Sequence, residues 1–295
     1  MRIICLLGGI VLACAAQAAE PDFYQYWGDG KAELSSYEVV QMRYGEARAG
    51  EGVLIYVTED LNRKTLVKVE SPTPAEDRLY TLKLNHTLKF NTGIYDYSVM
   101  TSVFSRVEGV HGDFDLQKIT FSAQEWCGHV FEEVRPEGKR LRGEINSYFE
   151  REGKQDYVLD LPEEYISGDH LLIALRELRG PLMEEGESRG FKLLPALWDL
   201  RTKHAPREWV EATLSKGAPE EIEAGGGPHA ATVWRLEAGA FSATYWVESV
   251  YPRRLLAWKD VQGSSGRLKT TLREPYWGLN GNRHETYREQ MLLAR

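Results

Sequence analysis

Three side chains able to do chemistry occupy alternate positions in KITFSAQEWCGHVFEEV, residues 118–134: the Glu125 carboxylate, the Cys127 thiol and the His129 imidazole. A β-strand sends successive side chains to opposite faces. Taken as one strand, the segment puts Glu125, Cys127 and His129 on the same side as Ile119, Phe121, Ala123 and Phe131, so the polar groups interrupt an apolar row. Neighbours on such a row stand about 7 Å apart, too far for a direct thiol–imidazole hydrogen bond but close enough to share a ligand or a water. One chemistry this allows is nucleophilic, with Cys127 attacking, His129 as base and Glu125 orienting the ring. The other is binding, with the three groups and the adjacent Trp126 contacting a ligand in an otherwise apolar wall. The same residue types ligate zinc, but no motif in the chain names a reaction, and neither metal nor cofactor is expected.

His86 is the candidate partner from a second strand. In RLYTLKLNHTLKFN, residues 78–91, Tyr80, Leu82, Leu84, His86, Leu88 and Phe90 alternate with Thr81, Lys83, Asn85, Thr87 and Lys89, the pattern of a half-buried antiparallel strand. A plainer structural reading stands beside the functional ones: Glu125 and His129 satisfy one another or nearby backbone, and Cys127 packs as a small apolar group. A buried carboxylate left without a partner costs several kcal/mol, so Glu125 needs one under any reading. Tyr95, Tyr97, Trp126, Trp234, Tyr245 and Trp246 read as core or rim aromatics.

The elements around this row are mostly strands. Residues 33–45, 53–59, 64–70, 94–106, 140–150 and 155–159 carry strand-like alternation, separated by Gly-, Pro- and Asn-containing turns. The period changes after Ser167, a helix cap, where Leu171, Leu172, Leu175 and Leu178 recur at helical spacing until Gly180-Pro181, predicting one helix over residues 167–179. Residues 191–198 read as a short strand, and residues 206–214 fit strand or helix. Gly225-Gly226-Gly227-Pro228 lacks the Lys-Ser/Thr of a phosphate loop and reads as a linker. Strand patterns resume over residues 232–274. Strands on both sides of one helical region predict a mainly β (α+β) fold: one domain over residues 19–295, a large curved antiparallel sheet or half-barrel with the helix on its concave face.

At 295 residues the chain is long enough for a sizeable core, and a net charge of −8 with no basic patch argues against nucleic acid as a partner. Residues 1–18 read as an export signal, with Arg2, a short apolar run and Ala16-Gln17-Ala18 as the cleavage motif. Val11-Leu12-Ala13-Cys14 resembles a lipobox, so release after Ala18 and lipid anchoring through Cys14 are the two outcomes. Either places the chain in the periplasm or at the envelope membrane. No segment approaches the roughly 20 apolar residues of a membrane span. Loss of Cys5 with the signal leaves Cys127 without an intramolecular disulfide partner.

Segments DGKAEL (29–34), KFNTGIYDYSVMTSVF (89–104) and QEWCGHVFEEV (124–134) resemble those of an uncharacterised family of exported bacterial proteins that carry the label septum formation inhibitor Maf. The Ser-x-Ser-Pro-Arg-Arg run of true Maf nucleotide pyrophosphatases is absent, so the resemblance does not imply that activity. Residues 166–274, with Ala174-Leu175-Arg176 in a Leu-rich helix followed by hairpins, resemble in pattern the periplasmic domains related to the LolA and LolB lipoprotein carriers. That resemblance implies a half-barrel whose helix-covered concave side accepts an acyl chain, and it carries over no individual residues. The expected function is non-enzymatic binding of an amphiphilic, lipid or glycan ligand or of an envelope protein. The alternatives are an envelope hydrolase built on Cys127 and His129, and a structural scaffold.

Overall fold

Period-two alternation runs through most of the chain, and the structure, a computed structural model describing residues 22–110 and 112–294, realises most of it as strand. The signal segment and Cys14 lie outside the described residues. A short helix α1 (Phe23–Trp27) precedes β1 (Ala32–Arg43), β2 (Glu46–Asn62), β3 (Arg78–Thr92), β4 (Tyr95–Glu108), β5 (Asp113–Glu125), β6 (Gly128–Glu137), β7 (Arg140–Ser147) and β8 (Lys154–Asp160). Then follow β9 (Tyr165–Ser167), α2 (Gly168–Ala174), β10 (Ser188–Leu194), α3 (Leu197–Lys203), β11 (Val210–Ala224) and β12 (Gly227–Glu237). The chain continues through β13 (Ala243–Glu248), β14 (Leu255–Asp260), β15 (Ser265–Glu274) and a last short helix, α4 (Thr286–Gln290).

All fifteen strands join one curved, unclosed sheet in the order β8-β7-β6-β5-β4-β3-β2-β1-β15-β14-β13-β12-β11-β10-β9. The fold is mainly β, as the alternation predicts. Two antiparallel meanders meet where β1 pairs with β15, and only the short β9–β10 pair is parallel among the described strands. Register carries each apolar row across several strands: Tyr56 on β2 lies beside Leu84 on β3, Val103 on β4, Ile119 on β5 and Val134 on β6. These five side chains are all buried, which fixes the face that holds the core.

Helix α2 packs against β4 and β5, with Leu171 and Ile173 fully buried and the Tyr56 hydroxyl donating to the Leu172 carbonyl at 3.0 Å. Its cap is the predicted one, Ser167 Oγ accepting the Asp169 N–H at 3.3 Å. The helix is shorter than the spacing predicts, ending at Ala174 instead of residue 179. Arg176 is drawn into the interior, where it makes a bidentate pair with Glu33 at 2.8 and 3.1 Å and donates to the Pro252 carbonyl at 2.8 Å. Glu177 then takes a left-handed φ of 47°, which breaks the helix. Four other readings are corrected. Residues 64–70 are not a strand and make only an isolated Leu61–Lys68 bridge. The glycine run is not a linker, since Gly225 and Gly226, both at positive φ, form the tight turn of the β11–β12 hairpin. Helix α3, not a continuing strand, follows β10. Residues 118–134 are two strands, with consequences for the candidate site.

Candidate functional site

The Glu125/Cys127/His129 row does not form, because the chain reverses inside it. Glu125 ends β5, Trp126-Cys127 make a two-residue turn, and Glu125 pairs with Gly128 at the start of β6. The turn resets the phase: Val130, Glu132 and Val134 face the core, while His129 pairs with Gln124 on the exposed side and Phe131 is exposed. Cys127 stands free and exposed at the hairpin tip, its backbone N–H donating to Glu125 Oε2 at 3.1 Å. The Glu125 carboxylate, through a hydrogen bond and its charge, pushes the thiol pKa up, the opposite of what an attacking cysteine requires. Trp126 is exposed as well, with its indole N–H donating to Asp96 at 2.7 Å. The buried acid of β6 is instead Glu132, held by Arg207 at 2.8 Å and by the Tyr157 hydroxyl at 2.8 Å.

His86 is where the alternation puts it, on the core face of β3, but its neighbours come from other elements. It lines a cavity of about 130 Å³ between the sheet and helices α2 and α3. The floor comes from adjacent strands: Val39 on β1, Leu54 on β2, Leu88 beside His86, and Val99 and Thr101 on β4. Leu172 of α2, Trp198 of α3 and Phe241 in the β12–β13 connection supply the remaining apolar wall.

Two strand pairings shape this floor. Val39 on β1 pairs with Gly266 on β15, and Gly266 with Trp258 on β14. A Cβ at Gly266 would meet the Trp258 ring at 2.1 Å, so the absence of a side chain lets the indole lie across β15 toward Tyr37 and His86. Its ring centroid is 5.0 Å from that of Tyr37 and 6.0 Å from that of His86. Trp198 closes the other side over Phe90, Tyr97 and Phe121, its indole N–H donating to Gln41 Oε1 at 3.1 Å.

Polar groups converge on this apolar shell. Asp169 of α2 accepts the Leu197 N–H at 2.9 Å, Asp199 of α3 accepts Lys203 Nζ at 3.1 Å, and Asp260 Oδ1 accepts the N–H groups of Gln262 and Ser264, each at 2.8 Å. Burial pushes Asp169 up to about 7, with the charges of Asp199 and Glu132 adding to the shift. Burial raises Asp199 and, further, Tyr245, whose ring also lines the cavity. His86 is pushed down to about 4 by burial and is neutral at physiological pH. Its Nε2 is buried without a hydrogen-bond partner among the described residues.

Of the candidate site residues among those described, only His86 reaches the cavity, and it is not brought together with the Glu125/Cys127/His129 group; Tyr245, read as a core or rim aromatic, also lines the cavity. Asp169, Asp199 and Asp260 escaped the sequence reading; the available signal was an acid embedded in an apolar run, as in LLPALWDL (193–200). Among the described residues no group of three His, Cys, Asp or Glu side chains is placed to hold a metal ion, and no helix is long and apolar enough to cross a membrane. Comparison of the chain with protein-family models, with curated proteins and with solved structures found no match.

Proposed function

We propose that this chain is a non-enzymatic exported envelope protein that binds one small amphiphilic molecule in the cavity between its sheet and helices α2 and α3. The observation that carries the reading is the composition of that cavity: an apolar shell with a few convergent polar groups, one of them the unpartnered Nε2 of His86. The volume sets the scale. A cavity of about 150 Å³ holds benzene, so about 130 Å³ suits a ligand portion near one six-membered ring and favours a small amphiphile over an acyl chain or an oligosaccharide. The export reading rests on the charged, apolar and small-x-small organisation of residues 1–18.

The hydrolase alternative draws less support, because His129 and Cys127 sit on an exposed hairpin and the Glu125 carboxylate raises the thiol pKa. A purely structural scaffold gives no reason for a cavity with an unsatisfied imidazole, whose desolvation costs stability. The test is a titration of methyl-labelled protein with small amphiphiles, followed by NMR. The expected shifts cluster on Leu54, Leu88, Val99 and Leu172. Shifts confined to the exposed strand tips around Ile94 and Trp126 contradict the reading.

A further inference from the structure

The charge and ring content of the same cavity define a narrower ligand class, an inference that rests on the binding function proposed above. Three carboxylates line it, Asp169, Asp199 and Asp260, against one cation, Lys203. Lys203 is already committed: its ammonium pairs with Asp199 at 3.1 Å and lies 5.3 Å from the Phe241 ring centroid. Asp260 is committed to its own turn. Asp169 is different. It is 7% exposed, accepts one backbone N–H, and has no Lys, Arg or His within ion-pair distance among the described residues. The aromatic side chains of Trp258, Tyr245 and Trp198 share the lining with these acids. A ring face attracts a cation, most strongly when both are out of water. Buried imidazole Nε2 of His86 adds one unfilled hydrogen-bonding position.

We propose that the cavity between the sheet and helices α2 and α3 binds a small organic cation, an alkylammonium whose charge is met by Asp169 and by the faces of Trp258 and Tyr245. Lys203 over Phe241 and against Asp199 is an internal example of the same recognition, an ammonium between a carboxylate and a ring. The cavity volume admits a trimethylammonium or primary ammonium head with a short neutral tail, and a hydroxyl on that tail can reach a hydrogen bond with His86.

The experiment titrates the full chain by calorimetry with choline, with its neutral isostere 3,3-dimethylbutan-1-ol, in which carbon replaces nitrogen, and with phosphocholine. The wild type and Asp169→Asn are compared; asparagine keeps an oxygen for the Leu197 N–H but removes the charge. The expected result is choline binding at least about tenfold tighter than the isostere, with Asp169→Asn removing most of that preference. A cooperative urea unfolding transition of Asp169→Asn shows that the variant is folded. Choline without phosphocholine binding assigns a free ammonium, and equal binding of the two assigns a phosphocholine headgroup as the source. Equal affinity for choline and the isostere overturns the cation assignment while leaving the cavity reading intact. Absence of binding by all three probes overturns the assignment too; methyl shifts with other amphiphiles then decide the broader reading separately.

Discussion

Asp169, on the first turn of α2, accepts the backbone N–H of Leu197, the first residue of α3, at 2.9 Å. One carboxylate thereby joins two short helices that roof the cavity, and it does so from a nearly anhydrous position. The groups facing it are Asp199, which is paired with Lys203, and Glu132, which is paired with Arg207. Because its pKa is raised to about 7, the folded state binds more protons than the unfolded state between about pH 4 and 7. Stability contributed by protonated Asp169 is therefore present below that window and lost as pH rises through it. His86 and His170, each pushed down to about 4 by burial, act in the opposite sense, losing stability as pH falls from about 6.5 to 4. In urea unfolding at a series of pH values, Asp169→Asn is expected to be more stable than the wild type above pH ~7, by up to a few kcal/mol. Its stability should also fall more steeply with acid, because the compensating carboxylate is gone.

Arg176 and Glu33 are separated by 143 residues in sequence, and both are buried to 1% exposure or less. The guanidinium also lies over the rings of Tyr56 at 4.3 Å and Trp27 at 5.2 Å. Removal of one member leaves a buried charge without its partner. Arg176→Met is expected to cost about 3–5 kcal/mol in chemical denaturation, and adding Glu33→Leu should restore most of it. A double variant as unstable as the single one would show that the pair itself, not the orphaned charge, sets the cost.

Gly266 gives the Trp258 indole its room, since a Cβ there would lie 2.1 Å from the ring. Gly266→Ala must displace the indole and with it the cavity floor. A loss of about 1–3 kcal/mol is expected, together with weaker binding of any cavity ligand. A variant with wild-type stability and affinity would show that Trp258 has another place to lie.

Cys127 is exposed, and Glu125 raises its pKa. In a background with Cys5 and Cys14 replaced by serine, a chromogenic disulfide should label it completely but slowly. Glu125→Gln lowers the thiol pKa and should raise the rate near pH 7 by roughly two- to fivefold. Faster labelling of the wild type than of an unstructured thiol peptide would reopen the nucleophile reading.

Much of the β architecture was legible because alternation is a local signal. The row from Leu82 to Phe90 could be assigned to a buried face by inspection, and its register partners agree with it. The reversal at Trp126-Cys127 was not legible in the same way. A two-residue turn preserves the alternating look of the sequence on both sides while exchanging the faces, and no Asn-Gly or Asp-Gly pair marks this one. The helix end was hidden for another reason. Leu178 continues the helical spacing, yet Arg176 leaves the helix to meet Glu33, a contact that only tertiary structure supplies. The cavity shares this property. Asp169 looks like an ordinary first-turn helix acid, Asp199 follows a segment that reads as strand, and Trp258 becomes a wall of the site only through pairing with Gly266 and proximity to His86.

Whether the cavity is a ligand site is tested most directly by native mass spectrometry of the protein, purified without denaturant from the envelope of cells that make it. The wild type is compared with Ala240→Trp, which adds an indole at an exposed position on the cavity lining. A small adduct of defined mass on the wild type, missing from the variant, is expected. An adduct retained in full by Ala240→Trp, or a wild type that is bare and stays bare after incubation with choline and with neutral amphiphiles, would contradict it.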